Sequence, residues 1–221
     1  MSRDSIHLGE AMQSWLHDHS LRETPVQRAL RREMESHPEG EMQTSPEQVQ
    51  FLAMLMAAIG GRRAIEVGVF TGYSAMAIAH VLPEGGELVA CDLSPEYMDI
   101  AEGWWERDGV ADRISQRVGP AVDSLQALLD EGQAGTFDFM YVDADKESSE
   151  DYYELGLQLI RPGGLITIDN MFRGGRVVDP SADDSSTVAT RAIAQKLVAD
   201  ERIDYTLVPI GDGLAVARKR G

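Results

Sequence analysis

The stretch Arg63–Ser74 constrains the fold of this 221-residue chain more than any other part of the sequence. Residues 64–67 form a short, largely apolar run with β-branched side chains, which is typical of a buried strand. Gly68 and Gly72 then indicate a turn, and residues 73–81 have the apolar spacing of a helix. A strand, a glycine turn and a helix in this order open nucleotide-type α/β domains, since glycines let the backbone approach a ligand closely.

Glu66 lies inside the predicted strand, where a buried carboxylate is costly unless it accepts a hydrogen bond. Gly68 and Gly72 are separated by three residues, which differs from the GxGxxG spacing of dinucleotide-binding loops. An acid near the strand end followed by GxxxG resembles the cofactor loop of S-adenosylmethionine-dependent methyltransferases. The pattern therefore argues against a dinucleotide site.

Beyond this unit the chain alternates between strand-like and helix-like segments. Further strands are predicted at 87–92, 113–119, 137–143, 164–169, 203–210 and 214–219, and helices at 95–107, 121–130, 147–160 and 185–199. Repeated β-α units predict a doubly wound α/β fold with a parallel sheet and helices on both faces. Only Gly211–Gly213 joins the last two strands, so they must pair as an antiparallel hairpin. Six parallel strands and one antiparallel strand from a terminal hairpin resemble the Rossmann-like, seven-stranded sheet of class I methyltransferases.

The first part of the chain has helical spacing without strand partners. Helices are predicted at 5–17 and 24–34, which makes residues 1–41 an N-terminal helical extension that covers the site or contacts a second copy. Residues 42–221 then form the main domain. The sequence Ser-Pro-Glu-Gln at 45–48 predicts a capping box at the start of another helix, with serine as N-cap and glutamine closing the box.

Composition excludes several functional classes. The net charge of −17 repels polyanions, so we expect neither nucleic acid nor an anionic membrane as a partner. No apolar run approaches the length of a membrane span, and the N-terminus lacks the pattern of a secretion signal. A single cysteine, Cys91, fits a reducing compartment, and we expect a cytoplasmic protein.

Polar residues recur where predicted strands end, which is where doubly wound sheets bind ligands. Asp92 ends the second strand, where an acid can accept hydrogen bonds from ribose hydroxyls. Residues 119–121 follow the third strand, the usual place for backbone groups that contact an adenine edge. Asp143 and Asp145 end the fourth strand, and residues 169–170 end the fifth.

Asp143, Asp169 and Asn170 are candidate metal ligands. If the fourth and fifth strands are neighbours, their ends lie about 4.8 Å apart. Two carboxylates that close repel each other, so a cation must lie between them or one must bind a proton. Oxygen donors without Cys or His favour a hard divalent ion, Mg²⁺ or Ca²⁺. The alternative is that the Asp-Asn pair only caps a turn.

Five segments together resemble the caffeoyl-CoA and catechol O-methyltransferase family, in its bacterial branch. They are EVGVFTGYS at 66–74, GPA at 119–121, FMYVDADK at 139–146, DN at 169–170 and VPIGDGLAVARK at 208–219. Their order and spacing match from about Met42 to Lys219. The resemblance implies S-adenosylmethionine as cofactor, Mg²⁺ (or Ca²⁺ or Mn²⁺) as metal, a small phenol as substrate and a homodimer.

The resemblance also implies roles for individual residues. It assigns the metal to Asp143, Asp169 and Asn170, and the general base to Lys146. Cofactor contacts are expected from Met42, Thr44, Glu66, Gly68, Thr71, Gly72, Ser74, Asp92, Ala121, Asp143, Asp145 and Tyr152.

The chemistry of methyl transfer agrees with these roles. A phenol, with a pKa near ~10, is mostly protonated at neutral pH, and a divalent cation chelated by two vicinal hydroxyls would lower that pKa and orient the anion. Lys146, one of three lysines in the chain, would accept the second proton. Arg173, at the mouth of the site, would meet an acidic group of the substrate or remain solvated.

Two other functions remain as alternatives to a catechol-type O-methyltransferase. A tRNA hydroxyuridine O-methyltransferase would also act on an acidic oxygen, although the net charge of −17 argues against it. A non-catalytic cofactor-binding protein is the third possibility, and the presence of all four metal-ligand and base residues argues against it. No lysine precedes Lys146, so the lysine that contacts the CoA ester in plant members has no counterpart, which argues against a CoA thioester substrate.

Overall fold

Seven strands form a single sheet in the computed structural model of the chain, which describes residues 8–221. The strands are β1 (Arg63–Val67), β2 (Glu87–Asp92), β3 (Ile114–Val118), β4 (Phe137–Val142), β5 (Ile160–Ile168), β6 (Ile203–Val208) and β7 (Leu214–Lys219). Their spatial order is β3-β2-β1-β4-β5-β7-β6. All pairs from β3 to β5 are parallel, and β7 is antiparallel to both β5 and β6. The predicted sheet of six parallel strands and one antiparallel strand is confirmed.

Helices cover both faces of this sheet, and each face has its own apolar core. The helices are α1 (Glu10–Ser20), α2 (Pro25–Met34), α3 (Pro46–Ala58), α4 (Tyr73–Val81), α5 (Pro95–Asp108), α6 (Ala121–Asp130), α7 (Ser149–Leu159) and α8 (Ser185–Ala199). One core packs α2 to α5 against the sheet, and the other packs α6 to α8 against the opposite face. Every residue of the central strand β4 is buried, as expected for a parallel strand covered on both sides.

The N-terminal helices differ in part from the prediction. Residues 1–7 lie outside the described part of the chain, and α1 begins at Glu10 and continues to Ser20, so the predicted bounds of 5–17 are wrong. Gly9 is the N-cap, because glycine favours a cap over a helix interior. The second helix begins as predicted at Thr24 and Pro25. Leu30 and Met34 of α2 belong to the core; the division of the chain at residue 41 stays a prediction.

The predicted capping box at residues 45–48 is wrong. Ser45 is the N-cap of α3 and Pro46 is its first residue, but no side chain forms a capping hydrogen bond at this helix end. Gln48 instead donates from Nε2 to Oδ2 of Asp169, at 2.6 Å. A contact with a strand end distant in sequence has replaced the local bond.

Strand β5 begins four residues earlier than predicted. It pairs with β4 at Phe137–Ile160 and again at Phe139–Leu165, so the residues between form a bulge on β5. Gly163 has φ +80°, a conformation that glycine adopts without strain, and it allows the bulge within the strand. The long loop after β5 also contains short 3₁₀ turns at Arg173–Val178, which the sequence did not indicate.

Backbone contacts draw the ends of β1, β4 and β5 together. The amide of Asp143 donates to the carbonyl of Val67 at 2.7 Å, and the amide of Asp169 donates to that of Val142 at 3.0 Å. Gly68 has φ +87°, and a Cβ there would lie 2.1 Å from the carbonyl oxygen of Asp143. Glycine is therefore required where the two strand ends meet. Among residues 8–221, no helix is long and apolar enough to cross a membrane.

Candidate functional site

A cavity of about 1120 Å³ opens at the carboxyl ends of the parallel strands. The predicted site residues that line it are Met42, Thr44, Gly68, Thr71, Ser74, Asp92, Ala121, Asp143, Asp145, Lys146, Tyr152, Asp169, Asn170 and Arg173. Two predicted residues lie behind its wall. Glu66 is fully buried next to Ser74, and Gly72 accepts a hydrogen bond from the indole of Trp105 at 3.0 Å.

Asp92 organises the glycine turn that follows β1. Its Oδ2 accepts hydrogen bonds from the amides of Val69 at 2.8 Å and Phe70 at 3.0 Å, and its Oδ1 accepts from Ser94 at 2.9 Å. Phe70 has φ +51°, a conformation uncommon outside glycine. The predicted ribose acceptor thus also fixes the loop above the cavity.

Glu66 is a buried carboxylate with one free oxygen. Its Oε1 accepts a hydrogen bond from the hydroxyl of Ser74 at 2.5 Å, and its Oε2 has no partner among the described residues. Burial raises the pKa of Glu66 to about 8, and the charges of Asp143 and Asp92 also raise it, whereas the Ser74 bond lowers it. With this pKa the carboxyl group is protonated at neutral pH without a ligand, and a positively charged donor brought to this wall would favour its ionised form.

The carboxylates of Asp143 and Asp169 meet at one hydroxyl group. The Tyr141 hydroxyl donates to Oδ2 of Asp169 at 2.7 Å and lies 3.2 Å from Oδ2 of Asp143. Burial raises the pKa of Asp169, and the charge of Asp143 raises it further. Burial, with the same two carboxylates, also raises the pKa of Tyr141 well above 10, so its hydroxyl stays protonated. The expected neighbouring acids are therefore found at adjacent strand ends.

Lys146 and Asn170 complete this group. Nζ of Lys146 lies 3.3 Å from Oδ1 of Asp143, and the lysine is only 7% exposed. Asn170 has φ +59°, a left-handed conformation that Asn adopts more readily than most residues. Its backbone amide donates to Oδ1 of Asp169 at 2.6 Å.

The donor set fits a hard divalent cation. Within residues 8–221 there is no group of three or more His, Cys, Asp and Glu side chains placed to hold a metal ion. Two carboxylates gathered around one hydroxyl, with an asparagine side chain lining the same cavity, nevertheless supply the oxygen ligands that Mg²⁺ accepts when water or substrate completes its coordination.

Other predicted residues have structural partners as well. Tyr152 donates from its hydroxyl to Oδ1 of Asp145 at 2.6 Å, which holds both residues at the cavity wall. Thr44 places its hydroxyl 3.2 Å from Oδ2 of Asp143, and Met42 is 53% exposed at the opening. Arg173 has φ +51°, and its buried Nε has no partner among the described residues.

Sequence reasoning missed Gln48 and Tyr141. Gln48 was interpreted as a cap, and Tyr141 fits the apolar pattern of a buried strand. The spacing of Tyr141 and Asp143 contained a usable signal, because residues two apart on a strand point to the same face. No local signal indicated that Gln48 would reach Asp169.

Acidic side chains dominate the cavity. Its acidic lining residues are Glu41, Asp92, Asp143, Asp145, Glu147, Asp169 and Asp212. Its basic lining residues are Lys146 and Arg173. Such a lining favours positively charged ligands.

Comparison with known proteins gives similarity over nearly the whole chain. A family model described as O-methyltransferase matches residues 17–220. "Probable caffeoyl-CoA O-methyltransferase 1" of Dictyostelium discoideum is 40% identical over 207 residues, which cover 91% of this chain and 89% of that protein. The crystal structure of the O-methyltransferase from Bacillus cereus in complex with SAH has a TM-score of 0.87 and 30% identity, covering 95% of this chain and 97% of that one. TomG from Streptomyces achromogenes, an O-methyltransferase of tomaymycin synthesis in complex with SAM, has a TM-score of 0.86 and 28% identity, with 96% of each chain covered.

Proposed function

Because this chain belongs to the O-methyltransferase family and is an enzyme of methyl transfer to oxygen, we propose that it methylates one hydroxyl of a small catechol-like phenol. We propose S-adenosylmethionine as the methyl donor and a divalent metal as a further requirement. The observation that carries this proposal is the group of Asp143, Asp169 and Lys146 at one end of the cavity. The neighbouring glycine turn lines the same cavity.

The proposed cofactor suits the charge and shape of the cavity. S-adenosylmethionine carries a sulfonium and an ammonium group, and an acid-lined cavity favours both. Glu66 has the free buried oxygen that an ammonium group would satisfy. The other proposed contacts come from the cavity walls at Met42, Thr44, Gly68, Thr71, Ser74, Asp92, Ala121, Asp143, Asp145 and Tyr152, and from Gly72 behind the wall. The presence of SAH or SAM in the similar structures supports S-adenosylmethionine as the cofactor.

We propose that Asp143, Asp169 and Asn170 hold Mg²⁺, or Ca²⁺ or Mn²⁺ in its place. An ion there would lower the pKa of a vicinal hydroxyl as a Lewis acid. Carboxylate and amide oxygens are hard ligands, which supports this choice over a metal that prefers sulfur or nitrogen.

Lys146 is the proposed general base. Its nearly buried amine lies in the same cavity as the proposed metal ligands, where Nζ can accept the proton of the attacking hydroxyl. In this structure Nζ lies 3.3 Å from Oδ1 of Asp143, and only the neutral amine, which has a free lone pair, can take up that proton. The ammonium form must therefore leave Asp143 and release its own proton first.

Arg173 is the proposed contact for an acidic group on the substrate. The buried Nε of its guanidinium has no acceptor among the described residues. A ligand carboxylate would satisfy this donor, since an unmet buried donor costs about 1–3 kcal/mol.

A matched pair of phenols tests the proposal. Caffeate, with two vicinal hydroxyls, and 4-hydroxycinnamate, with one, are incubated with S-adenosylmethionine and Mg²⁺ and examined by mass spectrometry. We expect a methylated product from caffeate and none from 4-hydroxycinnamate. The product should disappear when EDTA is added and form again with excess Mg²⁺. Turnover that resists EDTA would contradict the metal requirement, and equal methylation of both phenols would contradict the diol requirement.

We also propose a cytoplasmic homodimer in which the N-terminal extension, residues 1–41, contributes contacts. Met12 and Trp15 of α1 are 42% and 58% exposed, which leaves apolar surface for a second copy to cover. The net charge of −17 supports the absence of a nucleic-acid partner. Light scattering measures the molar mass and should give that of a dimer. A retention assay with tRNA at low salt tests the absence of a nucleic-acid partner, and no retention is expected.

A further inference from the structure

Two neutral donors converge on a single oxygen of Asp169. Nε2 of Gln48 lies 2.6 Å from Oδ2, and the Tyr141 hydroxyl lies 2.7 Å from the same atom. Gln48 is 1% exposed and Tyr141 is 0% exposed, so solvent does not compete for these bonds. Gln48 comes from α3, outside the sheet, and Tyr141 comes from β4.

The distances decide how the protons are distributed. Tyr141 has one hydroxyl proton, and it goes to Asp169 at 2.7 Å rather than to Asp143 at 3.2 Å. Gln48 also lies 3.4 Å from the Tyr141 oxygen, to which its second amide proton points. Among the described residues, Oδ1 of Asp169 accepts a hydrogen bond only from the backbone amide of Asn170, at 2.6 Å. A carboxylate oxygen accepts about two hydrogen bonds, so Oδ2 is filled and Oδ1 keeps a free lone pair.

From this arrangement we propose that Gln48 and Tyr141 are positioning residues for a metal ligand. They hold Oδ2 of Asp169 so that Oδ1 is left to bind the divalent cation. This inference rests on the metal requirement proposed above. Partners that orient a ligating carboxylate in this way commonly raise metal affinity 10- to 100-fold.

The position of Gln48 supports a role beyond filling space. By reaching Asp169 it leaves its own helix end without the side-chain bond that a capping box would supply. Its Oε1 and the hydroxyl of Ser45 remain buried without partners among the described residues. The carbonyl lies so close to Gly211 that a Cβ there would be 2.2 Å from Oε1. The arrangement fills Oδ2 of Asp169 and leaves two nearby polar atoms, Oε1 of Gln48 and the Ser45 hydroxyl, without partners among the described residues.

Matched variants test this proposal through binding of Mn²⁺ alone. Tyr141→Phe removes one donor without changing shape, and Gln48→Met removes the other at similar length. The control Tyr153→Phe removes the hydroxyl of another tyrosine with 0% exposure, which is bonded to a carboxylate, Asp200, at 2.9 Å but lies outside the cavity lining. The control Gln50→Met makes the same change two residues along α3, where the amide contacts Ser20.

Free Mn²⁺ is followed by electron paramagnetic resonance with no cofactor or phenol present, and circular dichroism confirms that each variant is folded. We expect the Kd for Mn²⁺ to rise roughly 10- to 100-fold in each site variant and to stay within about twofold in the controls. If one site variant fails to fold, the other still gives the result.

The outcomes separate this inference from the proposed function. If the unsubstituted enzyme binds Mn²⁺ and folded Gln48→Met or Tyr141→Phe binds it equally well, the positioning role is refuted and the metal site stands. Equal losses in the site variants and the controls would also refute it, because the effect would then be general. If the unsubstituted enzyme binds no Mn²⁺, the metal requirement fails and this inference fails with it.

Discussion

Replacing Glu66 by glutamine should remove a pH dependence from the stability of the fold. The pKa of Glu66 is raised from 4.5 to about 8, chiefly by burial. Between these values the folded chain keeps the Glu66 proton while the unfolded chain releases it. A rise in pH through this window therefore lowers the free energy of unfolding, and above pH 8 the effect is constant.

The magnitude follows from the difference between the two pKa values. Each pKa unit corresponds to about 1.4 kcal/mol, so the full rise from 4.5 to about 8 corresponds to a loss of up to roughly 5 kcal/mol. Glutamine has the same shape and does not titrate. The stability of Glu66→Gln relative to the unsubstituted enzyme should thus increase steadily from about pH 4.5 to pH 8, whatever constant offset the amide introduces.

Urea unfolding without cofactor, at half-unit steps from pH 5 to pH 9, measures this difference. Other titrating groups contribute to both proteins and largely cancel in the comparison. Ser74→Ala is a second test, because the Ser74 bond lowers the pKa of Glu66 and its loss should move the plateau to higher pH. A difference that stays constant from pH 5 to pH 8 would refute the reasoning, since Glu66 would then be ionised inside the fold.

Three further substitutions probe the cavity. Lys146→Met should lower kcat for caffeate by roughly 10²- to 10⁴-fold with little effect on SAH affinity by calorimetry; retained turnover would remove the base assignment. Gly68→Ala should destabilise the fold by at least about 2 kcal/mol in urea, because its Cβ would lie 2.1 Å from the Asp143 carbonyl oxygen at φ +87°. Arg173→Leu should raise the KM of a diol with a carboxylate by about tenfold and leave that of catechol unchanged; equal effects on both would contradict an ionic contact.

The sheet could be predicted from the sequence because each of its signals is local. Parallel strands covered on both faces read as short apolar runs, and β4 is buried at every residue. The short connection, predicted at Gly211–Gly213 and found at residues 209–213, left no room for a crossover, so the antiparallel pairing of β6 and β7 followed directly. The positions of Asp143 and Asp169 at strand ends followed from the strand pattern, and the structure supplies the adjacency of β4 and β5.

What the sequence could not supply depends on contacts between distant segments. Gln48 had a local explanation as a cap, and only the folded chain brings Asp169, 121 residues away, within reach of its amide. The bulge that lets β5 begin at Ile160 depends on pairing with Phe137. The end of α1 at Ser20 lies next to Gln50, whose amide donates to the Ser20 carbonyl at 2.9 Å. A local pattern does not contain these partners.

The register of the sheet places the whole group of polar side chains. Tyr141 lies on β4, Asp143 follows that strand directly, and Val142 pairs with Ile168, directly before Asp169. Both acids therefore leave their strands at the same level, and Gln48 of α3 reaches Asp169 there. A slip of one residue would turn Tyr141 to the opposite face and separate the two carboxylates from their shared donor. The tight approach of Gly68 to Asp143, which admits no Cβ, opposes such a slip. The glycine turn beside the proposed cofactor and the carboxylates of the proposed metal site are thus fixed by the same strand contact.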